Sequence, residues 1–364
     1  METTEAAVLR GPELLEIETL ELEAPGPREV LVDVRATGVC RSDYDRYEGR
    51  DDVAYPIVLG HEGAGVVEAV GSDVSTVEAG DHVVLSVVPS CGVCPDCERG
   101  RPYLCGPGLE AAFSGTMLDG TRRLSADGEP VNHFFAQSSY ATKAVVPERS
   151  AVPVRTDVPF ETAALLGCGA TTGIGGVFNM AGVGPGESVA VFGCGGVGSS
   201  AILAADAVGA SPLVAVDIDD SKLDRAAAFG ATHCVDATAA PAERIHELVG
   251  GVEYALEFAG SVSAMRAAVE STCPGGTAVV TGSVPAGEEL PLQARTLMQG
   301  RTVRGNVAGA LRPTVDIPQY IDMYADGRLD LDLLLTETFP LDRLEAAFEA
   351  MENGEVIRGA ITFE

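Results

Sequence analysis

Lysine, tryptophan and positive charge are the scarcest features of this sequence. Only Lys143 and Lys222 are lysines, tryptophan is absent, and 24 Lys+Arg face 54 Asp+Glu among the 364 residues, for a formal charge of −30. Such a surface repels polyanions, so we expect neither nucleic acid nor an anionic membrane as a partner. An acidic, lysine-poor surface suits concentrated salt, where the screening length falls to ~3 Å at 1 M. The composition therefore predicts a protein adapted to a salty cell interior.

Targeting and membrane segments are also missing. The first residues hold no basic stretch followed by an apolar one, and the longest apolar candidate, residues 189–205, is interrupted by glycines and by Ser199 and Ser200. Neither a signal peptide nor a membrane span is predicted. Nine cysteines without a secretion signal favour metal or redox use over a disulfide framework. We therefore predict a soluble, cytoplasmic protein.

Hydrophobic residues make up 46% of the chain, enough for a packed core, and the length indicates two domains. Residues 30–34, 65–70 and 82–88 are short β-type runs bounded by Gly, Pro or Asp, which is typical of an antiparallel, barrel-like domain. From about residue 186, apolar strands alternate with helices, which predicts an α/β, doubly wound parallel sheet. Leu341, Leu344, Phe348 and Met351 recur at helical spacing, which predicts a helix over residues 341–352. A last short strand, residues 360–363, is expected to return to the first domain.

Four cysteines cluster on a Gly/Pro-rich stretch in the pattern Cys-x-x-Cys-x-x-Cys-x7-Cys. They are Cys91, Cys94, Cys97 and Cys105. This spacing lets four thiolates converge on one zinc ion and leaves no open coordination position, which predicts a structural site. Local disulfides or free thiols are the alternatives, and a cytosolic chain disfavours the former.

A second metal site is indicated by Cys40, His61 and Cys168. Each alone is weak, because a lone cysteine is usually a small buried hydrophobe. Two thiolates and one imidazole would leave a fourth position open for an alcohol, as catalytic zinc requires. Glu62 follows His61 and would tune or enter that shell, and Asp43 is a candidate acceptor for the second imidazole nitrogen.

A glycine-rich motif, Gly193-Cys-Gly195-Gly196-Val197-Gly198, follows an apolar strand and opens a predicted helix. Its glycines allow a tight turn and close approach of a pyrophosphate to the helix N-terminus. The next predicted strand ends at Asp217, where a carboxylate can accept hydrogen bonds from the adenosine ribose and would repel a 2′-phosphate. The motif predicts a dinucleotide site that prefers NAD to NADP.

These motifs together resemble the zinc-dependent, medium-chain alcohol dehydrogenases over essentially the whole chain. The similarity is greatest to the long-form group with liver-type enzymes and glutathione-dependent formaldehyde dehydrogenase, since residues 115–121 and 132–135 match a segment that shorter tetrameric relatives lack. The resemblance implies a GroES-like β-barrel catalytic domain (residues 1–169 and 308–364) and a Rossmann NAD-binding domain (residues 170–307). It also implies two zinc ions per subunit and a homodimer formed through the coenzyme domain.

The resemblance further implies roles for individual residues. Cys40, His61 and Cys168 correspond to the catalytic zinc ligands, Glu62 to their neighbouring glutamate, Ser42 to the hydroxyl that receives the substrate proton, Arg41 and Arg358 to pyrophosphate-binding arginines, Asp217 and Lys222 to ribose contacts, and Thr172 to a further coenzyme contact.

The sequence departs from the family in two places. Liver-type enzymes carry a proton-relaying histidine shortly after the hydroxyl residue, whereas this chain has Asp45, Arg46 and Tyr47 there. With a reference pKa of ~3.9, Asp45 would be a poor relay near neutrality, so either proton release goes through water and the ribose or Asp45 has another role. Val87 stands where the family often has an aromatic residue, which suggests room for a bulky or branched alcohol.

We therefore predict an enzyme that oxidises an alcohol reversibly to an aldehyde or ketone with NAD. One alternative is oxidation of a formaldehyde–thiol adduct, which the acidic composition disfavours. A non-catalytic NAD(H)-binding regulator would be expected to have lost a zinc ligand or Ser42, and none is lost. A zinc-free quinone or enoyl reductase would lack both metal motifs.

Overall fold

The computed structural model describes residues 2–363. The strands are β1 (Glu2–Gly11), β2 (Leu14–Leu22), β3 (Glu29–Gly38), β4 (Ile57–Val58), β5 (Gly63–Val70), β6 (His82–Leu85), β7 (Leu124–Ala126), β8 (Glu129–Val131), β9 (Lys143–Pro147), β10 (Ala151–Pro153), β11 (Val189–Phe192), β12 (Leu213–Asp217), β13 (His233–Asp236), β14 (Val252–Glu257), β15 (Thr272–Val280), β16 (Thr302–Gly305), β17 (Leu335–Pro340) and β18 (Arg358–Thr362).

The helices are α1 (Arg41–Tyr47), α2 (Pro95–Glu98), α3 (Gly106–Ser114), α4 (Phe160–Ala164), α5 (Gly169–Gly175), α6 (Gly196–Ala207), α7 (Asp220–Ala228), α8 (Pro241–Val249), α9 (Val262–Ser271), α10 (Ala294–Leu297), α11 (Pro313–Ala325) and α12 (Leu344–Glu352). A π-helical turn, Gly176–Ala181, follows α5. No single helix in the described range is long and apolar enough to cross a bilayer, although the bent pair Phe160–Gly167 and Gly169–Ala181 passes a test of length and composition.

The backbone contacts divide the described chain into two units. The first comprises residues 2–169, 311–327 and 335–363, and the second comprises residues 170–310 and 328–334. The first unit contains two sheets, in the orders β4-β1-β2-β7-β8 and β10-β6-β5-β3-β18-β17, with β9 also pairing with β3. Most of its strand pairs are antiparallel, as the short β-type runs predicted.

The C-terminal strand β18 pairs antiparallel with the end of β3, so Ala360 lies opposite Gly38. This confirms the predicted return of the chain to the first domain. An aromatic core that includes Tyr44, Tyr140 and Phe348 packs α1 and α12 together. That packing fixes α1, which begins directly after Cys40.

The second unit is a six-stranded parallel sheet in the order β13-β12-β11-β14-β15-β16. Its central strands β11 and β12 are buried along their whole length, because helices cover both faces of such a sheet. The predicted doubly wound α/β class is confirmed.

Two element boundaries differ from the sequence prediction. Strand β6 ends at Leu85 rather than at residue 88, because the Val87 N–H donates to the Gly167 carbonyl at 2.9 Å instead of to a neighbouring strand. The helix expected from Leu341 begins at Leu344, since Leu341–Arg343 forms a tighter 3-10 turn.

Candidate functional site

One side-chain cluster in the first unit joins residues far apart in the sequence. The ligand atoms of Cys40, His61, Glu62 and Cys168 all lie within 4.8 Å of one another. Cys40 precedes α1, the His61–Glu62 pair precedes β5, and Cys168 follows the turn after α4. The first three are buried and Cys168 is half-buried. The Cys168 thiol donates a hydrogen bond to Cys40, and this holds the pKa of the Cys40 thiol well below its usual range, toward the thiolate that binds metal.

The orientation of His61 is set by a fully buried carboxylate. Its Nδ1 lies 3.1 Å from Asp43 Oδ1, which also accepts the Gly60 N–H at 2.9 Å, and the Tyr140 hydroxyl donates to Asp43 Oδ2 at 3.0 Å. The other ring nitrogen of His61, Nε2, is buried and has no hydrogen-bond partner among residues 2–363. A nitrogen left without a partner beside two thiols, with a carboxylate behind the ring, fits a zinc ligand.

Glu62 links the metal-ligand cluster to Arg358. Its carboxylate accepts the Gly169 N–H at 3.1 Å and forms a buried ion pair with the Arg358 guanidinium. Burial raises the pKa of Glu62 to about 7, against the opposing effect of Arg358. Arg358, which the resemblance assigns to the coenzyme pyrophosphate, is only 4% exposed and is engaged by Glu62.

Two glycines make room for this ion pair. A Cβ added to Gly38 would overlap the Glu62 carboxylate, and a Cβ added to Gly169 would overlap the Arg358 guanidinium. Neither glycine is among the site residues that the sequence predicts. Their physical role follows from the close approach of side chains that the fold brings together.

The four clustered cysteines form a second group. The sulfur atoms of Cys91, Cys94, Cys97 and Cys105 lie within 4.8 Å of one another. The Cys91 and Gly108 N–H groups donate to the Cys105 sulfur at 3.3 and 3.4 Å, and backbone hydrogen bonding lowers the pKa of Cys94 to about 7. Four converging thiols held by backbone donors fit a closed, structural zinc site.

The glycine-rich motif lies between β11 and α6 in the second unit. Gly193 has φ +87°, and a Cβ there would lie 2.7 Å from the Ala259 nitrogen, while one on Gly198 would overlap the Gly193 carbonyl oxygen. A Cβ on Gly195 would meet nothing within 4 Å. The loop is therefore tight on its protein side and open at Gly195, as a loop that admits a pyrophosphate must be.

Asp217 ends the neighbouring strand β12 and supports this loop. Its Oδ2 accepts the Cys194 N–H at 2.7 Å and its Oδ1 accepts the Asp219 N–H at 3.1 Å. The remaining predicted coenzyme residues of this unit lie at the start of α6 (Gly196 and Val197), on α7 (Lys222) and, buried, on α5 (Thr172). The arrangement fits a dinucleotide.

Helix α1 carries the predicted proton acceptor and the residues that replace the family's histidine. Ser42 is half-buried beside Cys40. Asp45 lies outside the two metal-ligand clusters of the described chain and accepts hydrogen bonds from Arg41 Nε at 2.9 Å and Arg50 Nη1 at 3.1 Å. Arg41, with 53% of its side chain exposed, also pairs with Glu352 on α12.

Aromatic side chains that sequence reasoning did not identify surround His61. The rings of Phe134 and Phe135 lie 5.3 and 5.0 Å from its ring, and Phe113 lies 5.5 Å from Phe135. A cavity of about 50 Å³ bounded by Phe113, Phe134 and Arg46, among others, is lined by none of the metal-ligand residues and is therefore not the metal site itself. From the sequence, residues 132–135 indicate only membership of the long-form group, because the packing of their rings against His61 depends on the fold.

Comparisons with known proteins agree with this geometry. Residues 26–156 match the family model "Alcohol dehydrogenase GroES-like domain", and residues 196–326 match "Zinc-binding dehydrogenase". The chain is 36% identical to the S-(hydroxymethyl)glutathione dehydrogenase of Paracoccus denitrificans over 379 aligned residues, with 100% of each covered. A solved alcohol dehydrogenase zinc-binding domain protein from Burkholderia ambifaria is 38% identical with a TM-score of 0.96, covering 100% of this chain and 99% of that one. The benzyl alcohol dehydrogenase of Acinetobacter calcoaceticus is 36% identical with a TM-score of 0.95, covering 100% of both chains.

The chain belongs to the zinc-dependent medium-chain alcohol dehydrogenases. It is an oxidoreductase that acts on alcohols, with zinc and NAD as its cofactors. These findings confirm the predicted family, fold class, reaction class and cofactors.

Proposed function

We propose that Cys40, His61 and Cys168 hold the catalytic zinc and that Ser42 receives the proton of the substrate hydroxyl. The observation that carries this proposal is the buried, unpartnered His61 Nε2 beside two thiols. When bound, zinc supplies Lewis acidity to the alcohol oxygen and NAD supplies the hydride acceptor. The chain's own part is to orient His61 through Asp43 and to present the Ser42 hydroxyl next to the metal-ligand cluster.

Replacing Ser42 with alanine tests this assignment. Loss of a positioned proton acceptor is expected to lower kcat by ~10²- to 10⁴-fold, while zinc content and the Kd for NADH stay unchanged. Ser125→Ala, a half-buried serine on β7, is the matched control. A Ser42→Ala enzyme with wild-type kcat would remove this residue from the proton path.

We propose that Arg41, Arg358, Lys222 and Thr172 contact the coenzyme together with the glycine-rich loop, and that Asp217 accepts the ribose hydroxyls. Support comes from the exposed Arg41 guanidinium next to a zinc ligand and from the open face at Gly195. The same assignment makes residues 1–169 and 308–364 the catalytic domain and residues 170–307 the coenzyme domain.

We propose aromatic or other apolar primary alcohols as substrates. The rings of Phe134 and Phe135 against His61 and the exposed Phe113 ring (62%) support this choice, as does the benzyl alcohol dehydrogenase among the relatives. A second candidate is the adduct of formaldehyde and glutathione, which is the substrate named for the Paracoccus relative.

Measurement of kcat/KM for benzyl alcohol and for S-(hydroxymethyl)glutathione under identical conditions separates the two candidates. If apolar primary alcohols are the substrates, kcat/KM should be higher for benzyl alcohol. A higher value for the glutathione adduct would overturn that proposal and leave the zinc and Ser42 assignments in place.

We propose a homodimer formed through strand β16 of the coenzyme domain. All four residues of this edge strand are exposed, and Met298 (84%) and Val307 (45%) add apolar surface beside it. Within the described residues β16 pairs with β15 on one side only, and such a partly apolar edge is a template for pairing with a second copy. Light scattering should give twice the chain mass, and Val303→Arg on β16 should shift it toward the monomer.

We propose a cytoplasmic location and adaptation to concentrated salt. None of the nine cysteines, all within the described residues, forms a disulfide, and six of them lie in the two metal-ligand clusters, which supports a reducing compartment. The charge of −30 supports the second proposal, since high salt screens the self-repulsion of an acidic chain.

A further inference from the structure

Arg41 is not a free cation in this protein. Its Nε donates to Asp45 Oδ1 at 2.9 Å, and its Nη1 pairs with Glu352. A guanidinium binds an anion in bidentate fashion either through Nε and one Nη or through both Nη atoms. Each of these two faces contains one nitrogen that a carboxylate already occupies. A pyrophosphate that approaches Arg41 therefore meets competition on either face.

The two competing carboxylates are held in place by a second cation. Arg50 Nη1 lies 3.1 Å from Asp45 Oδ1, Arg50 Nη2 lies 3.9 Å from Glu352 Oε1, and Arg50 also pairs with Glu48. Both arginines lie over the Tyr44 ring, at 5.4 and 5.3 Å from its centroid. The cluster is thus a connected ion-pair network rather than a chance contact.

The charges of this network are unfavourable for an anionic ligand. Three carboxylates (Asp45, Glu48 and Glu352) surround the guanidinium groups of Arg41 and Arg50, so the group carries a net charge of −1 when all five are ionised. A coenzyme pyrophosphate that binds Arg41 is attracted by one guanidinium but repelled by the carboxylates that the same guanidinium neutralised before binding.

We propose that Asp45 and Glu352 weaken coenzyme binding by competing with the pyrophosphate for Arg41, and so set the affinity of this enzyme for NAD(H). This gives Asp45 a role other than proton relay. Weaker binding of NADH favours its release, and product release limits turnover in many well-evolved enzymes. The inference rests on the proposed contact between Arg41 and the pyrophosphate.

Replacing Glu352 with glutamine tests the competition in the zinc-loaded protein. An exposed ion pair contributes modestly, so we expect the Kd for NADH, measured by fluorescence titration at about 0.1 M ionic strength, to fall roughly two- to fivefold. Asp45→Asn, a second variant at the other nitrogen, should lower the Kd by a similar factor. Raising the salt concentration to about 1 M should reduce the difference in the Kd for NADH between these variants and wild type, because the screening length drops to ~3 Å.

Glu349→Gln is the matched control, since it removes one exposed carboxylate from the same helix, and the described ion pairs of Arg41 do not involve it. Its Kd for NADH should equal that of wild type. Equal tightening in Glu349→Gln and Glu352→Gln would overturn the proposal in favour of a general charge effect, and an unchanged or higher Kd in Glu352→Gln would overturn it directly.

Arg41→Gln distinguishes the proposed competition from the proposed coenzyme role of Arg41 itself. If Arg41 binds the pyrophosphate, its loss should raise the Kd for NADH more than about tenfold, the usual scale for a charge-assisted hydrogen bond, and Glu352→Gln should have no effect in that background. An unchanged Kd in Arg41→Gln would refute the coenzyme role of Arg41 itself. A raised Kd in Arg41→Gln, together with no tightening in Glu352→Gln, would refute only the competition.

Discussion

Replacing Asp43 with asparagine is expected to release the catalytic zinc while the structural zinc stays bound. The Asp43 carboxylate is fully buried and accepts three hydrogen bonds, from His61 Nδ1, the Gly60 N–H and the Tyr140 hydroxyl. An asparagine of the same size keeps one acceptor oxygen and places an NH₂ group where the carboxylate accepted. With its oxygen toward His61 and Gly60, the NH₂ group faces the Tyr140 hydroxyl, which must accept from it and donate instead to the Gly38 carbonyl at 3.4 Å.

The magnitude follows from two effects. Hydrogen bonds to an ionised carboxylate become weaker bonds to a neutral amide, and the Tyr140 bond lengthens, which together cost about 1–3 kcal/mol and should appear in the free energy of unfolding. Loss of the carboxylate behind a ligating histidine weakens metal binding by roughly 10- to 100-fold, equivalent to about 1.4–2.7 kcal/mol. Tyr140→Phe removes one donor but keeps the carboxylate, so it should cost only about 1 kcal/mol of stability and leave zinc affinity near wild type.

Metal release into a chromogenic chelator measures both zinc ions in one titration. Wild type should release them at high chelator concentration, and Asp43→Asn should release one equivalent at a concentration about ten or more times lower. Asp33→Asn, in a surface ion pair with Arg35, makes the same substitution away from the site and should behave as wild type. Asp43→Asn with both zinc ions held as in wild type would show that Asp43 does not position His61.

Three further predictions follow from particular side chains. Gly195→Ala should weaken NADH binding without changing the melting temperature, because its Cβ enters open space that the coenzyme needs. Gly11→Ala on β1, also unobstructed, is the control, and unchanged NADH binding in Gly195→Ala would contradict the loop assignment. Cys105→Ser should leave one zinc per subunit and lower the melting temperature. Cys273→Ser, outside both clusters, should keep two zinc ions and the wild-type melting temperature. Two zinc ions in Cys105→Ser would refute the four-thiolate site. Burial lowers the pKa of His133 to about 3 from 6.5. The unfolded chain therefore binds this proton at a higher pH than the folded chain, so the His133 contribution to the free energy of unfolding is complete above pH 6.5 and is lost as the pH falls toward 3. At pH 5 the loss should be about 2 kcal/mol. Urea unfolding at pH 7.5 and 5 should show a smaller loss in His133→Gln than in wild type, and an equal loss would mean that His133 titrates normally.

The sequence alone determined the chemistry that local spacing encodes. The motif Cys91-x-x-Cys94-x-x-Cys97 and the glycine-rich loop at Gly193 need only a short stretch of backbone to bring their atoms together, so their spacing predicts their function. Alternation of apolar strands with helices likewise predicted the parallel sheet, because strands buried on both faces must be apolar throughout.

Only the tertiary structure decided which distant side chains meet. Cys40 and Cys168 are 128 positions apart and join one cluster because β3 and the turn after α4 lie in one unit. The buried pair of Glu62 with Arg358 and the pairing of Arg41 with Glu352 depend on the return of β18 and α12 to that unit. Electrostatic contacts of this kind depend on distance in space, which the composition does not encode, and so the charge of −30 could not show where the few cations would be neutralised.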